Sequence, residues 1–253
     1  MWRFLFSITT GLSTIWAAEA QSAEPALPPA GPLAAFSAGR GDAPPPAWRA
    51  VGLPGGKVPL SAMLLDHRLV PGAAVLRLAS TASYGTLVHD LPLLPAQPQT
   101  ALAWRWRLDQ PVPGADLRQR AGDDAAVKLC VMFDQPLSRL SLGERSLLRL
   151  ARTVSGEALP AATLCYVWDP QLPAGTVLAN AYTRRMRWLV VDGSDSPLGQ
   201  WREHRRPIAA DFQRAFGDES PTTPPMTAVV VGTDSDNTGG RSLAFVGDVK
   251  LSP

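Results

Sequence analysis

Leu102-Ala103-Trp104-Arg105-Trp106-Arg107-Leu108 alternates large apolar residues with small or cationic ones. A period of two is the signature of a β-strand, whose successive side chains point to opposite faces. One face of this strand is apolar and core-bound; the other is cationic. Val127, Leu129, Val131 and Phe133 repeat the pattern after a Gly122-Asp123-Asp124 turn. Further strand-like runs lie at Leu60 to Leu65, Ala74 to Ala79, Tyr84 to Leu91 and Thr163 to Trp168. Met186 to Val191, Trp201 to Ile208, Thr227 to Thr233 and Leu243 to Leu251 complete the set. The 25 Pro and 21 Gly punctuate almost every run, as short strands joined by turns require. Many short strands at fairly even spacing predict a sandwich or barrel. No repeat of fixed period is present, which excludes propellers and solenoids.

The chain's two ends frame this region. Arg3, the apolar run Phe4 to Trp16 and the small-x-small site Ala18-Glu19-Ala20 predict a signal peptide over residues 1–20. The apolar run is short of the ~20 residues a spanning helix needs. The mature protein is therefore expected to begin near Gln21, to be exported to a bacterial periplasm and to keep no transmembrane segment. Residues 21–47 are rich in Pro and Ala and read as a flexible leader, with Phe36 the first candidate to pack. Residues 48–253 read as one β-domain. A net charge of +2 argues against generic nucleic-acid binding, which needs a strong cationic excess.

Two helices interrupt the strands. Ser141-Leu142-Gly143-Glu144 has the form of a capping box, and Leu147, Leu150, Ala151 and Val154 form one apolar stripe behind it. The stripe predicts a connecting helix packed on the sandwich, with Arg145, Arg149 and Arg152 in solvent; a helix lying on a membrane surface is the sharper alternative. Ala209 to Phe216 is a second, shorter helix ended by Gly217.

Catalytic signatures are sparse. Val229 to Gly239 resembles the strand and Asp-x-Asp-x-Thr of haloacid-dehalogenase phosphatases, but only Gly239 to Pro253 follow, too few for the rest of such a domain. Asp234, Asp236, Thr238 and Gly239 also fit the first half of an EF-hand frame. Phe245 stands where the bidentate Glu belongs, so a true EF-hand is excluded. A looser Ca²⁺ site from Asp234, Asp236 and Asp248 or Asp123 remains open beside an ordinary Asx-turn. No other cofactor is expected. Gly52 to Lys57 has the wrong glycine spacing for a phosphate loop and reads as a turn. His67, His89 and His204 sit in unrelated contexts, with no Gly-x-Ser-x-Gly elbow. Asp123 and Asp124 are adjacent, so they cannot both aim at one glycosidic bond.

Cys130 and Cys165 each lie in a strand-like run; a disulfide and two buried thiols are both open. Arginines carry the stronger functional hint. Arg105 and Arg107 share a face, and Arg184, Arg185, Arg187, Arg202, Arg205 and Arg206 crowd a later stretch beside Trp188 and Trp201. Guanidinium groups grip carboxylates and phosphates, and exposed aromatic faces stack on sugars. Core tryptophans with solvated, ion-paired arginines are the plainer reading.

The blocks Leu102 to Leu108, Gly122 to Ala125, Val131 to Asp134 and Leu164 to Trp168 resemble an exported bacterial family known as domain of unknown function 3047. Trp201 to Arg205, Asp211-Phe212, Ala215 to Gly217, Thr233 to Gly239 and Phe245 to Val249 continue the resemblance over most of residues 48–252. Arg206 stands where the family pattern suggests Asn, and Cys130 and Cys165 occupy strand positions that the family pattern does not suggest, so the resemblance implies no disulfide. A weaker likeness to jelly-roll carbohydrate-binding modules implies an all-β, jelly-roll-like antiparallel sandwich with one or two peripheral helices.

Together these imply a non-catalytic module binding a glycan or another anionic envelope polymer. Arg105, Arg107, Arg185 and Arg187 would grip acidic groups, and Tyr84, Tyr166 and Trp168 would stack. Asp234 and Asp236 would hold their loop with or without calcium. A glycan-cleaving hydrolase or lyase using Asp124 or Asp234, and a structural envelope protein with a protein partner, are the alternatives.

Overall fold

The computed structural model describes residues 33–155 and 159–252. The expected signal peptide and the leader as far as residue 32 lie outside the described residues. Among the described residues thirteen strands and two α-helices follow one another. The first strands are β1 (Trp48–Val51), β2 (Ala62–Asp66), β3 (Val75–Thr81), β4 (Tyr84–Leu94), β5 (Ala101–Gln110) and β6 (Lys128–Phe133). After α1 (Leu142–Ser155) come β7 (Ala162–Asp169), β8 (Val177–Ala179), β9 (Met186–Gly193) and β10 (Trp201–Pro207). α2 (Ile208–Phe216), β11 (Met226–Asp234), β12 (Arg241–Val246) and β13 (Lys250–Ser252) complete the order.

The strands form two stacked sheets. A seven-stranded sheet runs β1-β4-β11-β6-β7-β9-β8, and a second runs β10-β5-β12-β3-β2, with β13 also on β5. The fold is a jelly-roll-like β-sandwich in which one neighbouring pair, β7 and β9, is parallel. That pair is possible because a long connection carrying β8 separates its strands in sequence.

β5 shows why the sequence folds this way. Leu102, Trp104, Trp106 and Leu108 are buried between the sheets, while Arg105 and Arg107 face outward. Trp104 packs on Tyr166 of β7 at 5.1 Å between ring centroids, joining the two sheets. β7 differs: all eight residues are buried. Its even positions, Leu164, Tyr166 and Trp168, enter the inter-sheet core, and its odd positions, Cys165 and Val167, enter a second apolar cluster on the sheet's other face. A strand covered on both faces reads as a continuous apolar run, as this one does.

The strand expected from Leu243 to Leu251 is two strands, β12 and β13. Gly247 makes the break possible, because a Cβ there would lie 2.8 Å from Arg105 Cγ. Before β1, Leu33 and Phe36 are buried, and Phe36 stacks on Trp48 at 5.0 Å. Among the described residues no helix is long and apolar enough to cross a membrane.

Candidate functional site

The seven-stranded sheet turns an apolar outer face toward α1. Cys130 and Met132 of β6, Val230 of β11 and Met186 of β9 contribute to it. The Ser141–Glu144 capping box starts α1: Ser141 Oγ donates to Glu144 Oε2 at 2.9 Å, and Glu144 N–H donates back to Ser141 Oγ at 3.3 Å. Among the described side chains of the helix only Leu148 is buried, against Leu140 and Ala161. Between helix and sheet lies a cavity of about 640 Å³. Glu144, Leu147, Leu148 and Ala151 line its helical side, and Tyr84, Thr86, Lys128 and Met132 line its floor. Leu159, Pro160 and the loop Tyr182 to Arg185 close its sides. The wall is mostly apolar, with hydroxyls from tyrosines and threonines among the polar points.

Cys130 and Cys165 face one another across β6 and β7 and form a disulfide, S–S 2.09 Å, on this outer face. Lys128 lies on the same side of β6 as Cys130 and is almost wholly buried. Its Nζ donates to Asp234 Oδ2 at 3.1 Å and sits over the Tyr84 ring at 4.5 Å. Burial pushes Asp234 up to about 6 although Lys128 pulls it down; the attraction of Asp234 raises Lys128 despite its own burial. Asp123 is raised by burial too, and its Oδ2 accepts from Asn180 Nδ2 at 2.6 Å.

Asp124, Asp234 and Asp236 each bring one oxygen to within 4.8 Å of the others. Asp124 Oδ2 already accepts from Thr238 N–H at 2.8 Å and Thr238 Oγ1 at 2.6 Å, and its Oδ1 accepts Asn237 N–H at 3.1 Å. Lys128 supplies a positive charge to Asp234. The donor set is therefore one of loop-holding bonds around an internal cation. Asp248, expected as a third ligand, is elsewhere: its carboxylate accepts from Ser37 N–H at 2.8 Å and Ser37 Oγ at 2.5 Å.

The structure scatters the other expected residues. Tyr166 is fully buried and donates to Asp211 Oδ2 at 3.2 Å, and Trp168 lies in the inter-sheet core, so neither ring can stack on a ligand. Arg185 and Arg187 are also buried and ion-paired, although the Nε of each has no hydrogen-bond partner. Arg185 binds Glu144 at 2.9 Å and Glu219 at 2.7 Å, and Arg187 binds Asp218 at 2.6 Å, Glu219 and the Ala215 carbonyl. These bonds tie the cap of α1 to β9 and the chain beyond α2, and leave no grip for an acidic polymer. Arg105 and Arg107 are half-buried on the opposite sheet; Arg105 stacks on Trp201 at 4.7 Å and Arg107 pairs with Asp109 at 2.6 Å. Of the seven expected ligand contacts Tyr84 and Arg185 line the cavity, and Arg185 is held there by Glu144 and Glu219.

Sequence reasoning passed over Lys128, Tyr182 and Glu219, and read Glu144 only as a helix cap. One signal pointed to the covered face: the positions between Leu129, Val131 and Phe133 are Cys130 and Met132, not the charged residues of a solvated face. Arg206, the departure from the family pattern, has a local reason. It grips buried Asp211 with two bonds of 2.8 and 2.6 Å.

Residues 47–250 match the family described as a protein of unknown function, DUF3047. The chain belongs to that family. No curated protein matches the sequence. Among solved structures, the DUF3047 chain is similar to the glycoside hydrolase domain Endo-D, Spr0440, of Streptococcus pneumoniae R6, at 10% identity and a TM-score of 0.35, covering 81% of this chain and 21% of that one. It spans about a fifth of that structure's length. The K1 cleaved adhesin domain of Lys-gingipain from Porphyromonas gingivalis W83 aligns at 11% identity and a TM-score of 0.37, over 88% and 98% of the two chains. A carbohydrate-binding module specific for non-crystalline cellulose aligns at 10% and 0.33, over 76% and 80%. Likenesses this distant carry nothing about what DUF3047 proteins bind.

Proposed function

We propose that the protein is an exported, non-catalytic binding module that holds its ligand between the seven-stranded sheet and α1. The observation that carries this reading is the cavity of about 640 Å³, a size typical of small-molecule sites, with apolar walls and a few fixed polar groups. The hydrolase or lyase alternative needs a carboxylate available to a substrate. Asp124 instead holds the Asn237–Thr238 loop with both oxygens, and Asp234 is bound to Lys128.

The glycan or polymer expectation rested on arginine grips and stacking aromatics. Four of its seven residues, Arg185, Arg187, Tyr166 and Trp168, are buried and committed, and Arg105 and Arg107 lie on the other sheet. Tyr84 and Tyr182 are the aromatic rings that a sugar entering the cavity would meet.

The test is incubation of the protein with envelope oligosaccharides and medium-chain fatty acids, recording both binding and product masses. The reading expects retention with unchanged masses, abolished when the cavity is filled by Ala151→Trp. New fragments would establish catalysis, and binding indifferent to Ala151→Trp would remove the cavity from the account.

A further inference from the structure

We propose that α1 docks on an anionic lipid surface and that the cavity beneath it receives an acyl chain from that surface. The proposal rests on the cavity being the ligand site and names its ligand. Leu142, Leu147, Leu150 and Val154 of α1 are 78, 68, 61 and 69% exposed. The sequence expects this stripe to pack on the sandwich, yet the helix seats itself through Leu148 and leaves the stripe in solvent. Scattered exposed leucines are ordinary on any surface; three large aliphatic groups on one helix face, Leu147, Leu150 and Val154, form a patch that calls for a partner.

Two further observations identify that partner. Leu147 and Ala151 also line the cavity, so the exposed stripe runs without interruption into its wall. An apolar chain leaving a bilayer along the stripe would enter the cavity without crossing polar surface. The second observation is charge. Arg145 and Arg149 lie on the opposite face of α1 from the stripe, while its acid, Glu144, is held by Ser141 and Arg185. Arg145 donates to the carbonyls of Leu140 and Ser138, which fixes the side chain without neutralising it. A helix with leucines on one face and arginines on the other is the pattern that lies in an anionic membrane interface. Deep in the cavity, Lys128 is already neutralised by Asp234, so the floor makes no demand for an anion. The headgroup charge is met at the helix and the apolar chain inside.

The experiment has two arms, both on the full chain, so every variant shares the same apolar N-terminal run. In the first, binding to phosphatidylcholine vesicles is compared with binding to vesicles that also contain phosphatidylglycerol. The expected result is at least tenfold tighter binding to the anionic vesicles, and a loss of at least tenfold in Leu147→Glu/Leu150→Glu. Both positions are exposed, so the fold survives; an unchanged thermal midpoint checks this. In the second, dodecanoate is titrated by calorimetry. Wild type is expected to bind, and Ala151→Trp to lose at least tenfold, with Ala151→Leu intermediate. Equal binding to both vesicle types, an unaffected double variant, or no dodecanoate binding would overturn the proposal. If an oligosaccharide binds where dodecanoate does not, and Ala151→Trp blocks it, the lipid proposal falls and the cavity reading stands. If neither ligand class binds, both fall.

Discussion

Replacing Lys128 with methionine at pH 7.5 is expected to cost about 3–5 kcal/mol, because it strands a buried carboxylate. Lys128 and Asp234 side chains are 5 and 9% exposed, and their charged atoms are 3.1 Å apart. At an effective dielectric of ~20 the gross attraction is about 5 kcal/mol. Burial offsets much of it, so the pair as a whole adds little while either partner alone is costly. For a protein of this size the loss corresponds to a fall in thermal midpoint of roughly 6–20 °C. Asp234→Asn strands the lysine and is expected to cost a similar amount. The double variant Lys128→Met/Asp234→Asn should recover to within about 2 kcal/mol of wild type, since an apolar and a neutral group replace two charges. Urea unfolding of the four proteins gives the coupling energy directly. A coupling below about 0.5 kcal/mol, or a Lys128→Met cost below about 1 kcal/mol, would refute the reasoning. The same variants bear on the metal question. Calcium should leave the wild-type midpoint unchanged and raise that of Lys128→Met, where the carboxylates of Asp124, Asp234 and Asp236 lose their internal cation.

Other predictions follow from the same geometry. Asp234 is raised in the fold from 3.8 to about 6, so its contribution to stability is fully present below pH 4 and is lost as pH rises through 6. The change is on the order of 3 kcal/mol, read as the difference between wild type and the double variant across that window. Reducing the Cys130–Cys165 disulfide, or replacing both cysteines with alanine, releases a loop spanning 35 positions. The chain-entropy relation puts the loss on the order of 4 kcal/mol, measured by urea unfolding; an unchanged midpoint would show that the bridge contributes no constraint. Arg206→Ala leaves Asp211 buried without its two-bond partner and should cost about 3 kcal/mol in the same assay, whereas Arg205→Ala, in an exposed position, should cost under ~0.5 kcal/mol.

Local patterns carried well from sequence to structure. The β5 alternation placed Trp104 and Trp106 in the core because a strand's two faces are read from its own residues. The capping box was legible for the same reason, since Ser141 and Glu144 lie three residues apart. What the sequence concealed depends on elements brought together from a distance. Arg185 and Arg187 look available until Glu144, Asp218 and Glu219 arrive from α1 and from beyond α2. Tyr166 looks like a ligand contact until its side of β7 proves to face the other sheet, against Trp104. The face opposing Cys130 and Cys165 depends on the β6–β7 register, which no single run reveals. The cavity was the least legible feature of all. It exists because α1 docks through Leu148 and stands off the sheet, and the stripe of Leu147, Leu150 and Val154 pointed to the opposite arrangement.

The most direct test of the central claim is to locate the ligand by methyl and indole NMR during titration with dodecanoate. The account expects shifts at Met132 and Met186 in the cavity wall and none at Trp201, which lies on the other sheet beneath Arg105. Shifts at Trp201 with silent Met132 and Met186 signals would contradict it and return the binding site to the arginine face.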